Sequence, residues 1–522
     1  MIFTTINSFQ RGSVVEKNLS GRSFDHRHYS CWSLFLHMIC ISVTPESRQL
    51  AKVDIYNAAN QCDLVEVCLD RLHKEPDVKD MISGSKKPVL ISCRPPHEGG
   101  KFDGTEDERL ALLRQAIIAG PDYVELDPVT AMKIPRFGKT QRVISFASMT
   151  RPLNDVEEAF EEATRCKADV VKFTWPTETL ESAWPLLAVV SQKRMLPVVG
   201  LGLGRSGLTF SLLGRKYGSP WIYAALEKGM EAFPGQPTVG ELDDVYRWRQ
   251  VDSKTRFIGV VGEGVVEQAI SKILNAAFDI KGMNTRCLPL DFKSLDQLPK
   301  MLDILKVPAV ISTTDAGHRV MGLASTGDDV AKASQYTDVV IKTPEGWQAH
   351  NLVWKSALRS LEEKLGKQSN EDRPLDKRNT MIIGSNGLAI SVAHGVKRRN
   401  GLVSICSGDE VAAQKIAASS DLRYVPVAKL YDTLVDVVVL TTNTLDYGSK
   451  KTTLNPSLLR QGMTFMDLSE LPGESWFTQQ ARERGCKVVE PAEVFVGYIS
   501  ALFKSLTGHD LPPDAIAQGL LG

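Results

Sequence analysis

The sequence predicts an α/β protein. A (β/α)8 TIM barrel comes first, followed by a two-part α/β region whose second part is a Rossmann-type domain. Three observations carry the prediction. From about residue 40, short apolar runs alternate with amphipathic stretches, and eight such runs fall within about 210 residues. A second strand–helix alternation starts at Phe257 with "FIGVVG" and continues to about Leu365. From Thr380, "TMIIGSNGLAISVAHGVKRRNGLVSICSGD" reads as strand, glycine turn, helix and strand, the opening of a nucleotide-type fold.

The barrel strands read, in order, "ICISVT", "DLVEVCL", "PVLISCR", "YVELD", "RVISFA", "DVVKFT", "LPVVGLG" and "SPWIYAAL". Stretches such as "EDERLALLRQAIIAG" and "DVEEAFEEATRC" supply the helices between them. A doubly wound sheet is the alternative, but no glycine-rich fingerprint follows the first strand. Domains are expected at 41–250, 255–365 and 378–522, with 1–40 left unassigned. The break falls near "RWRQVDSKTRF", and the polar stretch Glu362–Asn379 reads as a solvated connection. The run Cys31–Val43 is too short to span a bilayer and reads as a core strand or local helix.

Composition narrows the function. Lys+Arg and Asp+Glu both number 62, so no net positive charge is present to hold nucleic acid. The nine cysteines show no CxxC pair, which argues for a reducing compartment and against a metal site. No membrane association and a cytoplasmic or nuclear location are expected.

Lys172 raises the sharpest question. Four of the five residues from Val170 to Thr174 are β-branched or aromatic, so it sits inside an apolar strand. Such a lysine must reach water, pair with a carboxylate, or act as an amine nucleophile. A head group snorkelling to the strand end is the plain alternative. In a barrel, strand C-terminal ends face the active site. Glu66, Arg94, Ala147, Lys172 and Leu203 are all placed towards those ends, which favours a site residue.

The order of motifs resembles a type I 3-dehydroquinate dehydratase followed by a shikimate dehydrogenase, the pair that closes the fungal pentafunctional arom protein. "VEVCLD", "CRPPHEGG", "ADVVKF" and "GSPWIYAALEKGMEAFPGQPTVGEL" carry the first half. "GVVG…LNAAF", "IIGSNGLA", "DVVVLTTN" and "LFKSLTG" carry the second. The resemblance implies that Lys172 matches the lysine that forms a Schiff base with the substrate ketone. Ala147, however, stands where the family has its acid/base histidine. Cys68 and Ser211 stand at arginine positions, and Ala232 at a serine. Glu66, Arg94, Glu98 and Gln236 are kept as ligand-binding candidates.

In the dehydrogenase-like half, Gln268 and Ile270 replace two substrate-binding serines. Gly317 or His318 falls at the catalytic lysine, Asn351 at the catalytic aspartate and Tyr498 at a late glutamine. The turn Gly384, Asn386, Gly387 departs from the dinucleotide pattern, with Asn386 expected to tolerate a positive φ there. Ser407 and Gly408 replace a phosphate-reading pair, with acidic Asp409 beside them. No cofactor is expected.

These losses resemble the fungal quinate repressor proteins. They imply a regulatory pseudoenzyme that senses 3-dehydroquinate, quinate or a related metabolite and binds a transcriptional activator protein of the quinate pathway. No GxxxxGK[ST] loop occurs, so the kinase-like part of those proteins is not in this chain. A weak or altered 3-dehydroquinate dehydratase using Lys172 is the alternative, and a non-functional paralogue the third.

Overall fold

The computed structural model describes residues 37–72, 76–366, 373–442, 444–447 and 450–520. Most of the unassigned segment 1–40, and residues 367–372 of the polar connection after the helix ending at Leu365, lie outside them. The described residues divide into two compact units, 37–256 with 288–305, and 257–287 with 306–520.

Eight strands build the first unit: β1 (Met38–Val43), β2 (Leu64–Cys68), β3 (Val89–Ser92), β4 (Tyr123–Leu126), β5 (Gln141–Ala147), β6 (Val170–Pro176), β7 (Val198–Leu203) and β8 (Trp221–Ala224). All their pairings are parallel, and β1 pairs with both β2 and β8. β8 comes back beside β7, so the sheet is a nearly closed barrel and not a doubly wound sheet. The strands are buried on both faces, which is why they read as continuous apolar runs and not as alternating ones.

Local signals start the helices around them. Thr105 and Glu108 form a reciprocal capping box on Glu106–Ile118, Asp155 caps Val156–Arg165, and Thr179 with Ser182 boxes Leu180–Ser191. The expected break near "RWRQ" is a short turn at Trp248–Gln250. Trp248 is fully buried, donates its indole N–H to the Ser211 carbonyl at 3.2 Å, and stacks under the Arg215 guanidinium.

In the second unit, β9 (Arg256–Val261), β10 (Thr285–Leu290), β11 (Ala309–Ser312), β12 (Thr326–Gly327), β13 (Val339–Thr343) and β14 (Gly346–His350) form a mixed sheet in the order β10-β9-β11-β13-β14-β12. Next come β15 (Asn379–Ile383), β16 (Leu402–Cys406), β17 (Arg423–Tyr424), β18 (Val437–Leu440), the ribbon β19 (Thr444–Tyr447) with β20 (Lys450–Thr453), β21 (Thr464–Asp467) and β22 (Lys487–Val489). The order β17-β16-β15-β18-β21-β22, all parallel, is that of a Rossmann sheet. One apolar cluster, including Leu274, Phe278, Leu358, Val392, Leu502 and Phe503, runs through both sheets.

Asp338 ties the mixed sheet to the helix Val353–Leu365. It is buried just before β13, and its Oδ2 accepts the backbone N–H groups of Leu352 and Val353, the latter at 2.8 Å. These are donors the helix cannot satisfy itself. Burial nonetheless pushes the carboxyl pKa up to about 6, against the opposing pull of those N–H groups. The folded group therefore holds its proton more tightly than the unfolded one. Its contribution to stability is complete below the ordinary carboxyl range and is lost as pH rises through about 6. Asp338→Asn keeps an acceptor without the charge. It is expected to be more stable than wild type at pH 8 by ~1–3 kcal/mol, with the advantage gone near pH 4. Urea midpoints at the two pH values check this, and a variant weaker than wild type at pH 8 contradicts it.

Candidate functional site

The inward positions of the barrel strands alternate with those facing the helices. On β6, Phe173 packs on Phe160 of the helix layer, so Lys172 points into the barrel. It is fully buried. Pairing to β7 continues as far as Pro176, so Lys172 lies in the middle of its strand and not towards its end. Glu66 likewise sits mid-strand on β2, paired in register with Ser42 and Leu90. Arg94 follows the end of β3.

These side chains form one network whose centre is Glu125 on β4. Lys172 Nζ donates to Glu125 Oε2 at 2.9 Å and Oε1 at 3.1 Å. Arg94 lies alongside the same carboxylate, Nε to Oε1 at 2.8 Å and Nη2 to Oε2 at 2.7 Å. Arg94 Nη2 also reaches Glu66. Ser42 Oγ donates to the other Glu66 oxygen at 2.6 Å, and Gln236 Nε2 donates to Ser42 Oγ at 3.1 Å. Two carboxylates thus face two cations, and all four groups are buried. Burial works against the Glu125 carboxylate, but Arg94 and Lys172 hold it well below the usual carboxylate range. Burial also opposes the Arg94 charge, yet Glu125 and Glu66 raise its pKa further.

Aromatic rings cover the network. The Lys172 ammonium lies 4.4 Å from the Tyr223 ring centroid, and Arg94 lies 5.1 Å from that of Phe233. Glu98 stands half-buried on the Pro96–Glu98 turn after β3. Burial, then the carboxylates of Asp127 and Glu125, push its pKa up to about 7. Cys68 is buried with its sulfur 3.7 Å from Arg94 Nη1, and burial and Glu66 raise its thiol pKa. Ala147 ends β5, two residues beyond Ser145, the register partner of Lys172. Ser211 bonds back to Gly207 within its own helix at 2.9 Å. The Ala232 backbone N–H donates to Gln236 Oε1 at 2.9 Å.

Glu125 is the residue that sequence reasoning passed over, although "YVELD" contains it. The signal was available: a lysine inside a strand needs a carboxylate, and Glu125 is an acid at an inward position of the neighbouring barrel wall. Ser42, Tyr223 and Phe233 were missed with it, and nothing in their local sequence marks them.

In the second unit, Gly384 has φ +130°, and Gly387 starts the helix Gly387–Lys397 against Tyr336, where a Cβ would collide. Asn386 does not take a positive φ. Its φ is −80°, because it is the helix N-cap: Oδ1 accepts the Ala389 N–H at 2.9 Å, and Nδ2 donates to the Thr441 carbonyl at 2.9 Å. Asp409 caps the next helix through the Ala412 N–H at 2.9 Å, and Ser407 bonds Ser385 at 3.1 Å. At this turn a dinucleotide phosphate would need free helix N–H groups. The Ala389 N–H is taken, and at the end of β16 the charge is that of a carboxylate.

The remaining positions have structural partners. Asn351 is buried and donates to Ser334 at 3.2 Å and Ser391 at 3.0 Å. Ile270 lies in the apolar core, and Gln268 is half-buried on the same helix. Gly317 abuts Tyr336, and His318 contacts the Gln335 carbonyl through Nδ1 at 2.7 Å. Tyr498 is buried, and burial followed by the Asp338 charge raises its pKa. Among the described residues, no cluster of three or more His, Cys, Asp or Glu is arranged for a metal, and no helix is long and apolar enough to cross a membrane.

Removing Glu125 would leave two buried cations facing each other. Glu125→Gln is expected to cost ~3–5 kcal/mol in urea unfolding, and Lys172→Met clearly less, because Glu125 accepts from both cations while removing Lys172 leaves the Arg94 bonds to Glu125 and Glu66 in place. Equal costs for the two variants would show that Glu125 is not the centre of the network.

Residues 39–253 match the family model for type I 3-dehydroquinase. The chain is similar to a chloroplastic bifunctional 3-dehydroquinate dehydratase/shikimate dehydrogenase of Arabidopsis thaliana. The two are 23% identical over 508 residues, covering 92% of this chain and 84% of the relative. A 3-dehydroquinate dehydratase of Methanocaldococcus jannaschii is 28% identical over 225 residues, covering 42% of this chain and 100% of its own length. Among solved structures, the dehydroquinate dehydratase and shikimate dehydrogenase of S. pombe AroM covers 95% of this chain and 100% of its own, at 16% identity and a TM-score of 0.41. Residues 39–253 thus resemble type I 3-dehydroquinase, and the chain along most of its length is similar to a protein that joins such a dehydratase to a shikimate dehydrogenase.

Proposed function

We propose that this protein is a regulatory pseudoenzyme of quinate and shikimate metabolism. In this reading it acts by protein binding, holding a transcriptional activator of the quinate pathway inactive. Its barrel is kept as a pocket for 3-dehydroquinate, quinate or a related metabolite. One observation carries the reading. Lys172 is buried and ion-paired to Glu125, while the strand end beside it presents Ala147. An iminium on Lys172 acidifies the neighbouring C–H, but alanine has no group to move the proton. The Asn386 and Asp409 caps support the same reading for the Rossmann-type sheet, since each takes up a helix N–H that a phosphate could use and Asp409 adds like charge.

An active dehydratase is the second reading, favoured by Glu98. A half-buried carboxyl titrating at about 7 is suited to acid/base work. A steady-state assay on 3-dehydroquinate separates the two. Loss of the histidine is expected to cost roughly 10²–10⁴ in rate, so no turnover above background should be seen. Turnover within about tenfold of an ordinary dehydratase, with a pH limb near 7 lost in Glu98→Gln, establishes the second reading instead. Calorimetry with NADPH is expected to show no binding, and a low-micromolar dissociation constant contradicts the reading of the β16 end.

A further inference from the structure

The roof over Lys172 is built by residues after three of the barrel strands. Phe233 is almost fully buried at the barrel mouth, with its ring centroid 5.1 Å from the Arg94 guanidinium carbon and 5.9 Å from Lys172 Nζ. A side chain added at Gly99 would run into this ring at 2.8 Å and into Met149 sulfur at 2.9 Å. Phe233, Gly99 and Met149 come from the segments after β8, β3 and β5, so three of the barrel's loops meet above the amine.

The turn that carries Phe233 is held at several points. Arg71 Nη2 donates to the Ala232 carbonyl at 3.0 Å, and the Gln236 N–H to the Phe233 carbonyl at 3.3 Å. The Gly204 N–H donates to the Pro234 carbonyl at 2.8 Å. Gly235, at φ +78°, packs its Cα against the Gly204 backbone, where no side chain fits. The backbone therefore aims Phe233 inwards. The ring occupies the space directly above the two cations, which any ligand reacting with the Lys172 amine must enter.

We propose that Phe233 is the gate of the barrel: its ring fills the ligand space over Lys172 and sets which carbonyl compounds reach the amine. The proposal rests on the reading of the barrel as a retained metabolite pocket. It adds that the pocket is filled in the resting protein and opens only when the Phe233 ring leaves it. A six-membered ring ketone needs the volume that the phenyl ring holds. For reaction, the Lys172 ammonium gives one proton to the Glu125 carboxylate it touches. The neutral amine then adds to the carbonyl carbon to give a carbinolamine, whose hydroxyl takes the proton back from Glu125 and leaves as water, giving the iminium.

Reductive amination reads the gate directly. The intact chain is incubated with cyclohexanone and sodium cyanoborohydride, whose hydride reduces the iminium to a cyclohexyl secondary amine. Peptide mass spectrometry then gives the labelling rate at Lys172, with exposed Lys193 and Lys228 as internal references. Phe233→Ala is expected to label Lys172 at least roughly tenfold faster than wild type, because the open fraction limits the rate. Phe233→Leu, which keeps most of the apolar volume, is expected to fall between the two. The reference lysines are unchanged, and Lys172→Met loses the label. Lys172 labelling within about twofold in wild type, Phe233→Leu and Phe233→Ala overturns the gate. That failure leaves the non-catalytic reading intact, since no turnover is measured. Conversely, dehydratase turnover in wild type sinks that reading without changing what the labelling rates report.

Discussion

A single buried carboxylate organises the barrel. Glu125 accepts from Lys172 and, side by side, from Arg94, and Arg94 in turn holds Glu66. A lysine ammonium cannot be buried at the centre of eight apolar strands without a partner, because the desolvation of a lone charge costs several kcal/mol or more. The pairing makes the position of Lys172 tolerable and also changes its chemistry. An amine that would be a nucleophile in isolation is here the cationic half of an ion pair. Four charges of balanced sign in a water-poor interior are seldom more stabilising than apolar packing would be. They do impose one arrangement, because any displacement leaves a charge unmatched.

The balance also bears on ligands. Both cations of the barrel interior are already neutralised by carboxylates from β2 and β4. An anionic metabolite must compete with Glu66 and Glu125 for Arg94, and with Glu125 for Lys172. Cys68 contacts Arg94 through sulfur, and Ser211 is turned back on its own helix.

The dehydrogenase-like region follows a different course. Small polar side chains there hold helix ends and helix crossings. Asn386 and Asp409 each end a helix by accepting an N–H that a phosphate would otherwise use. Asn351 joins two helices through Ser334 and Ser391, and Asp338 anchors the start of a third. Each of these side chains is small and polar and sits at a helix end or helix crossing. The backbone there offers unsatisfied donors, so a short polar side chain finds a partner at once.

Much of the architecture was legible in the chain itself. Eight apolar runs spaced by amphipathic helices specify a barrel, because parallel strands need helices as crossovers and are covered on both faces. Thr105, Asp155 and Thr179 mark helix starts through hydrogen bonds that reach only three residues along. Lys172 was recognisable as a residue needing an explanation. Its explanation was not local. Glu125 is 47 residues away in sequence, and only the barrel's register brings the two carboxylate oxygens to the ammonium. The same holds for Asn386, whose φ follows from a carbonyl on β18's far end and not from its neighbours, and for Phe233, whose direction is set by hydrogen bonds to Arg71 and Gly204. Residue type, period and cap are written in the sequence because they act over one turn or one strand. Partner choice is decided by tertiary structure, because it depends on distances that only the closed sheet defines.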